Sequence, residues 1–288
     1  MINNPLEQMS KNALSDLLKE IENKLKADIF TYYGEILDGV DQEVKGMIED
    51  LSKDSNKKDT LYVILTTTGG SLNPVQRMVT IFRHFYKEVN FIVPDYAYSA
   101  GTILCMSGDN IYMNYYSVLG PIDPQVRNKD GKFVAALGYL DKINELLQKA
   151  KDNTITQAEF LILRDFDLAE LRSYEQSKEL AIDMLKIWLT KYKFKDWTTH
   201  SDTGTPVTDE ERNKRAVEIA EKLSNNNIWK SHSRPIDAET LRNELHLKIN
   251  DLADDAELND LIDKYYKYLC EYVVRHKYTG FFQTRLFI

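Results

Sequence analysis

The sequence has only two cysteines, Cys105 and Cys270, among its 288 residues. So few cysteines exclude a disulfide framework and a zinc site built on a CxxC pair, and they fit a reducing compartment such as the cytoplasm. The sequence also lacks the patterns GxGxxG, GxxxxGK[ST] and HExxH, so nucleotide and zinc chemistry have no motif to support them. We therefore expect neither a cofactor nor a metal ion.

A surplus of positive charge and long apolar runs are missing as well. The 37 Lys and Arg residues are outnumbered by 45 Asp and Glu residues, which gives a formal net charge of −8. General nucleic-acid binding is therefore not expected, because phosphate contacts need basic residues in excess. No run reaches the ~18 apolar residues of a membrane span, and residues 1–19 lack the apolar core of a signal peptide. These absences predict a cytoplasmic protein without a membrane span.

Short apolar runs alternate with helical patterns in the first half of the chain. The runs Leu61–Leu65 and Val89–Val93 are typical of strands buried on both faces, and residues 110–114 form a third strand pattern. Apolar residues at helical spacing lie between the first two runs, after Pro74. Strand, helix and strand in this order predict βαβ units, and hence an α/β fold with a parallel sheet flanked by helices.

The pattern changes after residue 135, where helical signals dominate and strand signals are few. We expect helices over residues 137–151, 161–192 and 209–223, with a loop over 193–208. The predicted organisation is an N-terminal helix in residues 1–27, a catalytic core in 28–192, and a mainly helical extension in 193–288 that completes the site.

Two small-residue turns follow predicted strands, at the sheet edge where α/β proteins form their sites. Gly69-Gly70 can bring backbone N–H groups close to an anion, or can simply provide a strand-to-helix turn. Ser99, followed by Ala100 and Gly101, is expected to expose its hydroxyl at the start of a helix. The alternative is that Ser99 only caps that helix, a common role for serine.

Taken together, the two turns have the components of an acyl-transfer site. Ser99 would be the nucleophile, and the amides of Gly70 and of Ala100 or Gly101 would bind the oxyanion. Loss of one such donor typically costs ~10²–10³ in rate, so the diglycine turn should matter as much as the serine.

The order and spacing of these motifs resemble those of one known family. The sequence resembles the ClpP-class serine peptidases and, within them, is closest to the SDH family, the serine dehydrogenase proteinases. The resemblance covers residues 28–126 and a later stretch, with motifs Gly34-Glu35-Ile36, Thr67-Thr68-Gly69-Gly70-Ser71, Tyr98-Ser99-Ala100-Gly101-Thr102, Leu119-Gly120-Pro121-Ile122-Asp123-Pro124-Gln125 and Ser231-His232-Ser233-Arg234-Pro235-Ile236. It implies a Clp/crotonase-like fold, hydrolysis of a peptide or protein substrate, and Ser99 as nucleophile.

The resemblance also suggests which residues activate the serine. ClpP has a histidine about 25 residues after its serine, and this sequence has none there. The SDH order of serine, aspartate and histidine corresponds to Ser99, Asp123 and His232 here, with His232 as the base and Asp123 holding its tautomer. His200 is a rival histidine. Lys142 is a rival of another kind, because related signal-peptide peptidases use a lysine in this range.

Two other functions remain open for the same fold. Crotonases bind acyl-CoA thioesters in a similar oxyanion pocket, and a non-catalytic member would act as an oligomeric scaffold. ClpP-class folds commonly assemble into rings, so the resemblance implies a homo-oligomer whichever function applies.

Overall fold

The computed structural model of the chain describes residues 5–123, 125–127, 133–200 and 203–288. Helices and strands alternate in the first half, as the sequence predicts. In chain order its elements are α1 Pro5–Leu25, β1 Asp28–Gly34, α2 Val40–Lys53, β2 Thr60–Thr66, α3 Leu72–Phe85, β3 Glu88–Val93, β4 Tyr96–Ala97, α4 Ala100–Met106, β5 Asn110–Met113, β6 Val118–Leu119, β7 Gln125–Arg127 and β8 Phe133–Ala135.

The second half is mainly helical but contributes three further strands. Its elements are α5 Ala136–Lys151, α6 Gln157–Arg164, α7 Leu168–Trp188, a π-helical turn Leu189–Lys193, α8 Asp209–Leu223, α9 Asn226–Trp229, β9 Ile236–Asp237, α10 Ala238–Asn243, β10 Asn250–Asp251, a 3₁₀ turn Leu252–Asp254, α11 Ala256–His276 and β11 Gly280–Gln283. Within the described ranges, no helix is both long enough and apolar enough to cross a membrane.

A six-stranded sheet in the order β10-β5-β3-β2-β1-β11 forms the centre of the fold. Every neighbouring pair in it is parallel except β1 with β11, which is antiparallel. Val63 and Phe91 face each other on β2 and β3 and are fully buried, as expected for strands covered on both faces. The predicted α/β fold with a mostly parallel, helix-flanked sheet is confirmed.

The expected helix over residues 161–192 is two helices followed by a π turn. Asp167 ends the linker between α6 and α7, and its side chain accepts hydrogen bonds from the amides of Ala169 and Glu170. An aspartate in this position starts a new helix because it satisfies amides that have no partner within the helix. The apolar periodicity of the segment continues across the break, so it could not show where one helix ended.

Residues beyond 193 contribute strands to both edges of the central sheet. β10 pairs with β5 at one edge, and β11 pairs with β1 at the other. Strands from both sides of the predicted boundary between residues 192 and 193 therefore belong to one sheet. Short strands such as Asn250–Asp251 have no apolar alternation, and this explains why few strand signals are found in that part of the sequence.

A smaller sheet positions the serine turn. β4 pairs with β6 in parallel, and β6 pairs with β9 antiparallel. β4 is also joined to the end of β2 by a bridge between Thr67 and Ala97. The two turns that follow β2 and β4 are therefore neighbours.

Candidate active site

Ser99 occupies a sharp turn between β4 and α4. Its backbone has φ 50° and ψ −114°, and its side chain makes no capping hydrogen bond to α4. A non-glycine residue in this conformation costs about 1–3 kcal/mol, and such strain is concentrated at functional sites. A strained strand-to-helix turn is also the arrangement that presents the nucleophile in α/β-hydrolases. The alternative that the side chain of Ser99 serves only as a helix cap therefore has no support here.

The hydroxyl of Ser99 is less open than the sequence led us to expect. The residue is only 5% exposed, and its Oγ lies 3.5 Å from the main-chain oxygen of Asp123. The segment Pro121–Asp123 is itself buried and lies against the serine. The expectation of an exposed hydroxyl is wrong for this conformation, because the chain returning after β6 covers the turn.

The diglycine turn packs directly against Ser99. Gly69 has φ +99°, and a methyl group placed on it would lie 2.9 Å from the Ser99 Cβ and 3.2 Å from the Ala100 amide nitrogen. Gly70 has φ +141°, and a methyl group there would lie 2.2 Å from the carbonyl oxygen of Ile36. Glycine is required at both positions by backbone conformation and by close packing.

The backbone hydrogen bonds show which way the Gly70 amide points. The amide of Ile36 donates to Gly69 O at 2.7 Å, and the amide of Ser71 donates to Ile36 O at 2.8 Å. In such a parallel bridge, the residue between the two partners directs its own N–H to the opposite side of its strand. That side is the one on which Thr67 is joined to β4, and hence the side of Ser99.

Ala100 is the second amide available beside the serine. The amide of Gly101 donates to Tyr98 O at 2.8 Å, so it is already used in forming the turn. For the amides of Gly70 and Ala100, the described part of the chain offers no acceptor. Of the two residues that the sequence left open, Ala100 rather than Gly101 therefore has the free amide.

His232 and Asp123 lie close to each other near the serine. His232 Nδ1 is 4.0 Å from Asp123 Oδ2, which is too long for a hydrogen bond, and this buried nitrogen has no hydrogen-bond partner among the described residues. Asp123 Oδ1 accepts a hydrogen bond from the Leu137 amide at 3.0 Å. The main chain of Asp123 therefore contacts Ser99 while its side chain faces His232.

Burial dominates the titration of this pair. It raises the pKa of Asp123, although the Leu137 amide and His232 act in the opposite direction. Burial also lowers the pKa of His232, against the attraction of Asp123. Both shifts favour the neutral forms, because a charge is costly in a buried site. A neutral imidazole is the form that can accept a proton from a serine.

The two rival bases lie elsewhere. Lys142 is on α5 with its side chain 59% exposed, and it pairs with Glu145 at 2.9 Å. His200 contacts Glu211 at 3.2 Å and lines a cleft with Asn110, the first residue of β5. Ser99 lies near the carboxyl ends of the parallel strands. His200 lies near their amino ends, at the opposite end of the sheet. Neither residue belongs to the cluster around Ser99.

Lys178 is a residue of this cluster that the sequence interpretation did not include. It lies on α7, and its charge lowers the pKa of Asp123, which places its ammonium within electrostatic reach of that carboxylate. Its position between the buried residues Tyr174 and Ala181, at spacings of four and three, puts it on the inward-facing side of the helix. A lysine within an apolar stripe was the signal that could have identified it.

Pro124, part of the motif that follows β6, lies outside the described residues. Within the described ranges, no group of three or more His, Cys, Asp and Glu side chains is arranged to hold a metal ion.

A family model for ClpP-like SDH-type serine proteinases matches residues 48–209. The matched range includes Gly70, Ser99, Ala100 and Asp123, and it ends before His232. More than half of the chain is therefore covered by one family description, which includes the serine turn and the diglycine turn.

Two uncharacterized proteins of Methanocaldococcus jannaschii are similar in sequence. One is 26% identical over 188 residues, which cover 65% of this chain and 51% of the relative. The other is 26% identical over 168 residues, which cover 57% of this chain and 54% of the relative. The chain thus matches about half the length of these curated relatives.

Two solved structures of a membrane-bound stomatin-specific protease are similar in shape. A serine-to-alanine mutant has a TM-score of 0.46 at 13% identity, covering 79% of this chain and 80% of that one. A lysine-to-alanine mutant in complex with a substrate peptide has a TM-score of 0.47 at 15% identity, covering 79% of this chain and 75% of that one.

Proposed function

The chain belongs to the ClpP-like SDH-type serine proteinases, and we propose that it hydrolyses peptide bonds through an acyl-enzyme formed on Ser99. The observation that carries the proposal is the strained turn at Ser99, packed against a diglycine turn. The backbone conformation holds the serine at the start of α4 at an energetic cost that a purely structural serine would not need.

In this mechanism the amides of Gly70 and Ala100 bind the oxyanion. Attack of Ser99 Oγ on the scissile carbonyl converts that carbonyl oxygen into an anion, which two preorganised N–H donors stabilise. Both amides lack an acceptor within the described part of the chain, so they are free to bind the developing charge. Such donors are effective because they need no reorientation during the reaction.

His232 is the proposed base, with Asp123 as its partner. As Ser99 attacks, the imidazole takes the hydroxyl proton, and it later returns that proton to the leaving amine. Water then attacks the acyl-enzyme, and the same imidazole removes a proton from the water. The separation of 4.0 Å between His232 and Asp123 must shorten by about 1 Å to form a hydrogen bond. Catalytic hydrogen bonds that are long without substrate commonly tighten in this way when substrate binds.

Substrate must also displace the chain that covers the nucleophile. Ser99 is 5% exposed, and the main-chain oxygen of Asp123 lies beside its hydroxyl. We infer that productive binding moves the main chain at Asp123 away from Ser99 and brings its carboxylate to His232. The same burial favours the second candidate function, a non-catalytic oligomeric scaffold.

We also propose that the chain forms a homo-oligomer, located in the cytoplasm. Exposed apolar side chains support an assembly: Tyr115 is 95% exposed, and on α6 Phe160 is 53% exposed and Ile162 is 60% exposed. Leu161 between them is 43% exposed as well, and a contiguous apolar patch of this kind marks an interaction surface. The two free cysteines are consistent with a reducing compartment. Light scattering of the purified chain, with Ile162→Glu as the interface variant, tests the assembly.

A fluorophosphonate probe tests the hydrolase proposal, because it reacts with activated serines and needs no known substrate. Wild type should be labelled and Ser99→Ala should not. The matched control is Ser71→Ala, which removes a hydroxyl next to the diglycine turn, where Ser71 makes no capping hydrogen bond. Equal labelling of wild type and Ser99→Ala would refute the assignment of the nucleophile.

The alternatives give different results in the same preparation. A scaffold would show no labelling and no peptide hydrolysis in any oligomeric state. A crotonase-type enzyme would bind coenzyme A, measured by calorimetry, and would not cleave peptides.

A further inference from the structure

A cleft of about 710 Å³ opens near the amino ends of the parallel strands, at the end of the sheet opposite Ser99. It begins at Asp109 and Asn110, where β5 starts, and it is lined by the π turn and by the loop that follows. The proposed peptidase mechanism uses no residue of this cleft. Its walls carry three cations against two carboxylates, together with aromatic side chains: Lys193, Arg215 and Lys248, Asp109 and Asp196, and Phe194 and Trp197.

Lys193 is the feature that needs explanation. Its ammonium nitrogen is buried, and within the described part of the chain it has no hydrogen-bond partner. Burial is the main cause that lowers its pKa, to about 8, and the neighbouring charge of Lys248 acts in the same direction. A buried ammonium without a partner is costly, so an anion that supplied the missing acceptor would gain a favourable interaction with it.

The carboxylate that attracts Lys193, that of Asp109, is already committed to other groups. Asp109 attracts Lys193 electrostatically, but its carboxylate receives hydrogen bonds from Arg83 at 2.7 Å and from the Val89 amide at 2.7 Å. Its second oxygen lies 2.6 Å from Lys195. Asp109 is therefore shared among several donors and leaves the positive charge of Lys193 incompletely balanced.

The remaining cations of the cleft differ in their availability. Arg215 donates to Glu218 at 2.9 Å and to Leu245 O at 2.7 Å, so its guanidinium is occupied. Lys248 is exposed, and no carboxylate in the described ranges forms an ion pair with it. Two lysines, one buried and one exposed, are thus left to face an anion.

The aromatic wall gives the cleft a second recognition element. Phe194 and Trp197 meet edge to face at 5.7 Å between ring centroids, and Trp197 meets His200 in the same way at 5.7 Å. His200 therefore contributes to this cleft rather than to the serine site. Aromatic faces next to cations suit a ligand with both a flat apolar part and a charged group.

We propose that this cleft binds a small molecule that carries a phosphate group, with the phosphate on Lys193 and Lys248 and the rest of the molecule against Trp197. Phosphate fits better than a neutral ligand because it has several acceptor oxygens for two ammonium groups, and lysine binds it as a point charge. The π turn supports the assignment of a binding site to this cleft, since π-helical turns occur frequently at functional sites. Lys193 is the last residue of that turn.

Calorimetry on the full chain tests the proposal with three probes: inorganic phosphate, adenosine monophosphate and adenosine. We expect the nucleotide to bind, adenosine not to bind, and phosphate to bind more weakly than the nucleotide. If phosphate binds as tightly as the nucleotide, the ligand is a free phosphate and the aromatic wall is not used. Lys193→Met should weaken binding of either anion by about ten- to a hundredfold, the usual effect of losing a charged hydrogen bond.

The matched control is Lys191→Met, which changes a lysine of the same π turn that does not line the cleft and should leave binding unchanged. Lys193→Met should melt at or above the wild-type temperature, because it removes an unpaired buried charge. If that variant does not fold, Lys248→Met is the second test, with a several-fold loss expected. The proposal is overturned if wild type binds neither anion, if adenosine binds as tightly as its monophosphate, or if the lysine variants bind like wild type.

Discussion

Replacing Gly70 by alanine tests the proposed oxyanion site most directly. The added methyl group would lie 2.2 Å from the carbonyl oxygen of Ile36, whereas real Cβ contacts stay beyond 3.0 Å. Either Gly70 or Ile36 must therefore move by about 0.8 Å, the difference between those two distances. Because both atoms belong to backbone, the shift moves the Gly70 amide relative to Ser99.

The size of this shift sets the expected loss of activity. A misplacement of about 1 Å at a catalytic group can cost ~10²-fold in rate, and complete loss of one oxyanion donor costs ~10²–10³-fold. We therefore expect kcat to fall about a hundredfold while KM changes little, since the donor acts mainly in the transition state. The assay is hydrolysis of a fluorogenic peptide, together with the rate of fluorophosphonate labelling.

Gly39→Ala is the control for backbone strain. Gly39 also has a left-handed φ, +97°, but nothing lies within 4 Å of a methyl group placed there. Its variant should lose about 1 kcal/mol of stability and keep full activity. Thermal unfolding of each variant checks that Gly70→Ala is folded at the assay temperature. A folded Gly70→Ala enzyme with wild-type kcat would refute the assignment of this amide.

Four further results are expected from the same site. His232→Ala should abolish peptide hydrolysis while His200→Ala, its control at the opposite end of the sheet, should not; the opposite result would exchange their roles. Asp123→Asn should lower kcat by about 10³–10⁴-fold, as loss of the orienting carboxylate does in serine proteases, and an unchanged kcat would remove Asp123 from the mechanism. Burial lowers the pKa of His232 below its ordinary 6.5, so the neutral imidazole persists to lower pH. In a pH profile, kcat/KM should therefore begin to fall only below pH 6.5. A fall that begins above that pH would contradict the assignment of the base. Ser99→Gly should be about 1 kcal/mol more stable than Ser99→Ala, since glycine relieves the strained backbone, and chemical denaturation that finds no difference would show that the turn is unstrained.

The sequence alone was sufficient for the fold class and for the packing of the diglycine turn against the Ser99 turn. Parallel strands buried on both faces are apolar throughout. The apolar runs Leu61–Leu65 and Val89–Val93 therefore predicted that these segments lie in the middle of a parallel sheet. The diglycine begins four residues after Leu65, and Ser99 lies six residues after Val93. Residues that follow the carboxyl ends of adjacent parallel strands meet at one end of the sheet. Local pattern and a simple topological rule therefore predicted their proximity.

Only the tertiary structure decided which side chains surround Ser99 and which do not. His232 and His200 are both loop histidines with no periodic signal. α8 separates them: it passes from the cleft that His200 lines to Leu223, whose carbonyl oxygen accepts a hydrogen bond from the Ile122 amide beside Asp123. Lys178 approaches Asp123 only because α7 packs across the core. The burial of the Ser99 hydroxyl and the unpaired ammonium of Lys193 likewise come from contacts between distant segments. Such contacts depend on how helices pack over the sheet, and local sequence does not encode that geometry.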